Sequence, residues 1–372
     1  MAKNINEIPY TEIVERIQSL SRAPDNSVEK IRGLVQDIYL REIPDKFDWN
    51  FLFVSTSTIC REKYNTGTVS INTGSTTANF STDANIPSTN NSLSGREIKI
   101  NGASTVYRIT YSNDSRGTLF PTFQETANAT NQSYTIFEAF YGLPPDFDRF
   151  PKDGGFYKWI GGKKEIIPEA DYQKWTADYS SSTSVPKMMR FVEMNKAGQQ
   201  IFEVNPPPEK RLVYGVDYLK KLVPLMEITA GLIQSISAGA TQVDGLSGTL
   251  FADAQTGDWL RIDVLGRGQD SQWYKINSIE SDVSLTLATA FANTAVTSAN
   301  YTISKAPDMP VRLHPALIYG ALRSMEVDQN DPNAAVYQVK FAEILSDSKR
   351  IYVSRNYSKD FQTIAEEYRY RY

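Results

Sequence analysis

At the two ends of the chain apolar residues recur at helical spacing, whereas much of the middle alternates between apolar and polar positions. Ile5, Ile8, Ile13, Ile17 and Leu20 fall on one helical face, and Thr11 is placed to cap a helix beginning at Glu12. Asn26-Ser27-Val28-Glu29 has the form of a capping box, with Glu29 reaching back to the amide of Asn26. It opens a second helix through Ile31, Leu34, Val35, Ile38 and Tyr39, expected to end before Pro44. The aromatic run Asp48-Trp49-Asn50-Phe51-Leu52-Phe53 follows and reads as a buried anchor for these helices. Near the other end His314-Pro315 starts a helix carrying Leu317, Ile318, Ala321, Leu322 and Met325. Asp331-Pro332 supplies a cap and a first-turn proline ahead of Tyr337, Phe341, Ile344 and Leu345. Two helices at each end predict a four-helix core closed by residues far apart in sequence.

The alternating stretches form a repeat. One copy contains Gly74-Ser75-Thr76, Gly95, Tyr107-Arg108-Ile109 and Tyr134-Thr135-Ile136; the other keeps the order as Gly239-Ala240-Thr241, Gly257, Tyr274-Lys275-Ile276 and Tyr301-Thr302-Ile303. The first tyrosine precedes the last by 27 residues in both. Glu97-Ile98-Lys99-Ile100, Trp259-Leu260-Arg261-Ile262 and Ser284-Leu285-Thr286-Leu287 alternate as half-buried strands do. The Ser/Thr/Asn/Gly-rich stretch from Asn65 to Asn91 therefore belongs to a folded module rather than to a linker. Between the copies, Met189–Val192, Gln200–Val204 and Arg211–Val216 are strand-like, with turns at Ala197-Gly198 and Pro206-Pro207-Pro208, and predict an antiparallel meander.

These elements predict an α+β protein: a helical-bundle core with an antiparallel β-meander, interrupted by two related small all-β modules, each a β-barrel or sandwich. The expected division is a discontinuous helical core over 1–66 and 306–372, a first module over 67–137, a connecting region with the meander over 138–231, and a second module over 232–305. The modules are expected to project from the core. A chain of 372 residues is long enough for several domains.

Composition narrows the function more than the fold. The formal charge of -4 argues against a basic face that grips nucleic acid phosphates. The first residues lack the apolar segment of a signal peptide, and no run approaches the ~20 apolar residues of a membrane span, so use without secretion is expected. The single cysteine, Cys60, excludes an internal disulfide and reads as a small buried hydrophobe.

Candidate chemistry is sparse. His314 is the only histidine, which excludes dyads or metal sites needing two, and its place before a proline at a helix start favours a structural role. Gly161-Gly162-Lys163-Lys164 lacks both the earlier glycine and the closing hydroxyl of a phosphate-binding loop, and reads as a hairpin turn. Asp146 with Asp148 reads as turn chemistry, and Asp328, Asn330 and Asp331 as helix capping, since neither set has the ligand alternation of a calcium loop. The expectation is therefore no enzyme, no cofactor and no metal. Tyr368-Arg369-Tyr370-Arg371-Tyr372 is the most suggestive local feature: extended, it presents three tyrosines on one side and two arginines on the other, as suits strand addition to a partner, docking into an aromatic groove or, equally, an edge strand of its own domain.

The order of parts resembles the head-to-tail adaptor proteins of tailed bacteriophages, the class of tail tubular and head-completion connectors. The resemblance rests on the helical start with Asp48-Trp49-Asn50, the Gly/Thr-rich insert leading into Tyr141-Gly142-Leu143-Pro144-Pro145-Asp146-Phe147, the stretch through Asn205-Pro206-Pro207 and Tyr214, and the final helical part with Leu317-Ile318-Tyr319-Gly320-Ala321. It covers most of the chain, and the second insert departs from the leaner members. It implies a virion protein, assembled in the host cytoplasm, that forms a ring, commonly a dodecamer, between portal and tail. DNA passes through such a ring without sequence-specific binding. The implied partners are the portal protein, tail, nozzle or fibre proteins, and other copies of the chain, with no membrane; the C-terminal tyrosines are expected to dock on one of them. The alternative is a carbohydrate-binding or adhesin-type protein in which Trp259 and Trp273 stack on sugar rings, although the first module contains no tryptophan.

Overall fold

The computed structural model describes residues 7–21, 28–84, 95–113, 115–152, 154–160, 163–178, 182–195, 198–263, 272–328 and 333–353. They divide into two compact units, Met1–Leu52 with Lys221–Tyr372, and Phe53–Lys220.

In chain order the first elements are helices α1 (Tyr10–Ser21), α2 (Val28–Asp37) and α3 (Ile43–Lys46). Strands β1 (Phe53–Cys60), β2 (Val69–Ile71), β3 (Thr77–Phe80), β4 (Arg96–Ile100), β5 (Val106–Asn113), β6 (Arg116–Phe120), β7 (Ala129–Gln132) and β8 (Tyr134–Phe137) follow. Next come β9 (Phe140–Gly142), β10 (Phe147–Arg149), β11 (Gly155–Ile160), β12 (Lys163–Ile166), the short α4 (Tyr172–Asp178), β13 (Met188–Met194), β14 (Gln200–Asn205) and β15 (Leu212–Lys220). The last part holds β16 (Glu227–Ile228), β17 (Ile233–Ile236), β18 (Gln242–Gly245), β19 (Trp259–Ile262), β20 (Tyr274–Ser281), β21 (Ser284–Leu287), β22 (Val296–Ala299) and β23 (Tyr301–Ser304), then α5 (His314–Asp328) and α6 (Asn333–Tyr352).

Strand residues outnumber helical ones, and the sheets are antiparallel, so the expected α+β class with a helical-bundle core and a meander does not hold. Helices α1, α2, α5 and α6 do pack together, with Ile13, Ile17, Ile31, Val35, Leu317, Ala321 and Leu322 buried, but only as one layer of a unit that also contains a whole sheet. The meander fails at its third strand. β13 and β14 pair, whereas β15 leaves after the prolines and pairs with β1, more than a hundred residues earlier, and with β10 and β11. A periodic apolar pattern identifies a strand but does not choose its partner.

Local boundaries also move. α1 begins at Tyr10, so Thr11 lies inside it, buried rather than capping, and Leu20 is exposed. α2 ends at Asp37, ahead of Pro44, but the helical path runs on: a π-turn over Ile38–Glu42 carries the chain into α3, with the Ile43 N–H bonded to Ile38 O. The wider turn accommodates a proline that has no N–H to offer an α-helical ladder. The Asn26 cap, the Asp331-Pro332 cap and the Gly161-Gly162 turn lie outside the described residues.

The two β-modules have one topology. The first is a path β7-β2-β3-β6-β5-β4-β8, and the second is β22-β17-β18-β21-β20-β19-β23, extended by β16. In each, the two ends of the path are consecutive in the chain, joined through Ser133 or Asn300, so one bent extended segment closes the ring of strands. The agreement reaches single hydrogen bonds: Gly74 N to Phe123 O and Gly239 N to Phe291 O at 2.8 Å, Gly95 N to Ile109 O at 3.0 Å and Gly257 N to Ile276 O at 2.9 Å. Tyr107 packs on Phe123 at 5.5 Å as Tyr274 packs on Phe291 at 5.4 Å. Even the left-handed residues before the bend correspond, Asn131 at φ 48 and Ser298 at φ 50.

In the Phe53–Lys220 unit the five-stranded sheet of β1, β15, β11, β12 and β10 and the three-stranded sheet β13-β14-β9 enclose one core. Phe156 sits at its centre, stacked on Tyr214 at 4.7 Å and touching Phe202 at 5.0 Å.

Candidate functional site

The sequence-derived candidates fall in three places. Tyr368, Arg369, Tyr370, Arg371 and Tyr372 lie outside the described residues. Trp259 and Trp273 flank the β19–β20 ladder of the second module, and Cys60 and His314 are interior.

Period-two alternation puts Trp259 and Arg261 on the outer face of β19, and Lys275 on the same face of β20 opposite Trp259. Helix α1 and the residues before it lie against this face. Lys275 pairs with Glu7 at 2.9 Å while sitting 5.6 Å from the Trp259 ring centre, and Trp259 Nε1 donates to the same carboxylate at 3.3 Å. Arg261, almost wholly buried, donates two bonds to Glu15 at 2.6 and 2.9 Å and lies 4.6 Å from the Trp273 ring centre. The Ser304 hydroxyl accepts from Thr11 N at 2.9 Å. Both indoles are half-buried with a protein cation against the ring, so they are parts of an internal clasp and not a bare stacking platform. The second module is thus seated on the helices rather than projecting from them.

The matching face of the first module has the same employment. Register equates Glu97, Lys99 and Arg108 with Trp259, Arg261 and Lys275. Arg108 lies 5.2 Å from the ring centre of Phe140 in β9, and the Glu97 carboxyl faces that of Glu203 in β14. Burial first, and then the like charge of Glu203, push Glu97 up to about 7, with Arg108 opposing. Glu203 itself is held by Arg190 at 2.7 Å. Each module therefore docks on its own unit through the third and fourth strands of the repeat, β4 and β5 in the first and β19 and β20 in the second.

The conventional reactive groups are committed to structure. Cys60 is fully buried, and desolvation pushes its thiol up to about 12, far from a thiolate at neutral pH. His314 is fully buried with both ring nitrogens bonded, to Ile8 N and Met309 O. Asp146 accepts from the Tyr218 hydroxyl at 2.8 Å and Asp148 pairs with Arg149 at 2.8 Å. Among the described residues no group of three or more His, Cys, Asp or Glu is placed to hold a metal, and no helix is long and apolar enough to cross a membrane.

No protein-family model and no curated protein matches the chain.

Two further features carry recognition potential. A polar hollow of about 600 Å³ opens beside α4, lined by Lys174, Asp178, Ser184, Lys187 and Asn205. A groove of about 220 Å³ runs along β1, between Thr56 and Thr58 on one side and Gly142, Pro144 and Gln199 on the other. Sequence reasoning missed the clasp and this groove. The clasp had a visible signal, an aromatic followed two residues later by a cation at both Trp259-x-Arg261 and Trp273-x-Lys275; the groove had none, because β1 reads as a Ser/Thr run.

Proposed function

We propose that this chain is a structural virion protein, a head-to-tail adaptor that forms a ring between the portal and the tail of a tailed bacteriophage. The observation that carries the reading is the pair of equivalent closed β-modules, each fixed to its own unit by the same face, so that the β2-β3-β6 and β17-β18-β21 strands take no part in that contact among the described residues. The residues behind the resemblance support it as framework: Trp49, Leu143, Tyr214, Leu317 and Ala321 are buried, and Trp49 Nε1 donates to Ile43 O at 2.7 Å. The formal charge of -4 suits a channel that lets DNA pass without gripping its phosphates. Ring formation requires one surface of a copy to meet a different surface of the next.

Electron microscopy of the purified chain, alone and mixed with the portal protein of the same virus, tests this. Rings in either sample are the expected result, and a chain that stays monomeric with portal present overturns the reading. The carbohydrate-binding alternative has no observation in its favour, since Trp259 and Trp273 are already engaged by Lys275 and Arg261.

A further inference from the structure

Strand β1 is an edge that lacks the usual protection. It pairs along all eight residues with β15 without a bulge, and among the described residues nothing pairs with its other side. Natural edge strands are kept from adding further strands by charges, prolines, bulges or shortness. Phe53-Val54-Ser55-Thr56-Ser57-Thr58-Ile59-Cys60 has no charge and no proline, and Phe53 and Ile59 are 46% and 47% exposed. The facing sheet ends on the same side with β9, so the groove between Thr56 and Gly142–Pro144 lies between two strand edges. A strand added there would extend the sheet at its unpaired edge.

We propose that the occupant is the segment Tyr368–Tyr372 of a second copy of this chain, added to the free edge of β1. Length agrees: five extended residues span roughly 17 Å and eight span roughly 26 Å, so the whole segment fits along β1. Alternation agrees as well. A strand laid beside β1 turns one row of side chains towards Leu143, Pro144 and Gln199 and the other outwards beside Phe53, Ser57 and Ile59. Three tyrosines, apolar in the ring and polar at the tip, suit the inner row with its mixed lining, and two arginines remain in water on the outer one. The contact joins one segment of a copy to a different surface of the next, which is the heterologous geometry a ring needs. In that respect it rests on the adaptor reading.

Hydrogen exchange of the Phe53–Cys60 amides in the full-length chain tests it. At concentrations where the chain associates, these amides should exchange at least about ten-fold more slowly than in the variant carrying Tyr368→Ser, Tyr370→Ser and Tyr372→Ser. A synthetic peptide of residues 364–372 should restore protection to that variant, and should fail once Thr56→Lys is added, with an unchanged melting temperature showing that this second variant is folded. Protection that ignores the tyrosine changes, that is independent of concentration in the full chain, or that the peptide confers on other segments only, overturns the proposal. The two readings separate: rings that form with β1 unprotected leave the adaptor standing and remove this contact, whereas peptide protection of β1 in a chain that never assembles does the reverse.

Discussion

The backbone N–H of Ile8 donates to Nδ1 of His314 at 3.1 Å, tying residues 306 positions apart in one unit. Nε2 lies 3.2 Å from Met309 O, so the neutral imidazole with its proton on Nε2 satisfies both neighbours, and burial lowers the pKa below the usual histidine value. A proton on Nδ1 would confront the Ile8 N–H. Because the folded pKa lies below the unfolded one, this stabilisation is fully present above about 6.5 and is lost as pH falls through the folded value. Thermal denaturation between pH 7.5 and pH 5 should show a falling midpoint that is flatter in His314→Gln, whose amide can accept and donate without titrating. Superimposable pH profiles for the two proteins would count against the assignment.

Glu97 carries the opposite sign. Its Oε2 has no hydrogen-bond partner among the described residues, and its folded pKa is raised to about 7. Stability from this group is fully present below the unfolded carboxylate value and lost as pH rises through the folded one. Glu97→Gln removes the cost of ionising beside Glu203, so at pH 8 the variant should be more stable than the parent by on the order of 1 to 3 kcal/mol, with the advantage fading towards pH 4. Denaturation at the two pH values measures it, and a variant less stable at pH 8 refutes it.

The repeated topology makes a paired expectation about glycines. A Cβ at Gly67 would lie 2.7 Å from Ala84 Cα, and one at Gly231 2.6 Å from Thr249 Cα, whereas Gly74 and Gly239 have nothing within 4 Å. All four have positive φ. Alanine at Gly74 or Gly239 should therefore cost only the backbone term, about 1 to 2 kcal/mol, while alanine at Gly67 or Gly231 adds a clash with backbone that cannot give way and should cost clearly more. Melting temperatures of the four variants should rank alike in both modules. A ranking that reverses between copies would mean that the shared backbone does not set their energetics.

The repeat itself was legible because its marks are backbone requirements. Gly74, Gly95, Gly239 and Gly257 occupy left-handed turns, and Tyr107, Tyr134, Tyr274 and Tyr301 fill the module cores. Trp49 was legible as a packing residue for a different reason, being large and apolar beside helical patterns. The fold class was not, since it depended on pairings such as Thr56 with Val216 that alternation within a strand leaves open. The clasp was hidden differently. Glu15 looks like the solvated face of an amphipathic helix and Glu7 like a polar residue ahead of it, and only Arg261 and Lys275, far along the chain, engage them. The Trp259 and Trp273 alternative arose from the same gap, because aromatic composition cannot tell a ring awaiting a sugar from one already covered by a cation.

That covering leads to a last measurement. Arg261 is buried beside Trp273, and its charge is answered by Glu15, whose side chain is 40% exposed. Glu15→Gln leaves the guanidinium with hydrogen bonding but no opposite charge, and with one carboxylate edge already in water the loss should be about 1 to 3 kcal/mol, below the cost of breaking a fully buried pair. Trp273→Ala strips the ring from the same guanidinium and should cost at least as much through lost packing. The two changes act on one group, so their effects should fall short of additive, with a coupling energy of about 0.5 kcal/mol or more in a double-mutant cycle. Additive effects would show that the ring and the carboxylate hold Arg261 independently, and sugar binding that vanished in Trp273→Ala at unchanged stability would restore the surface role that the clasp displaces.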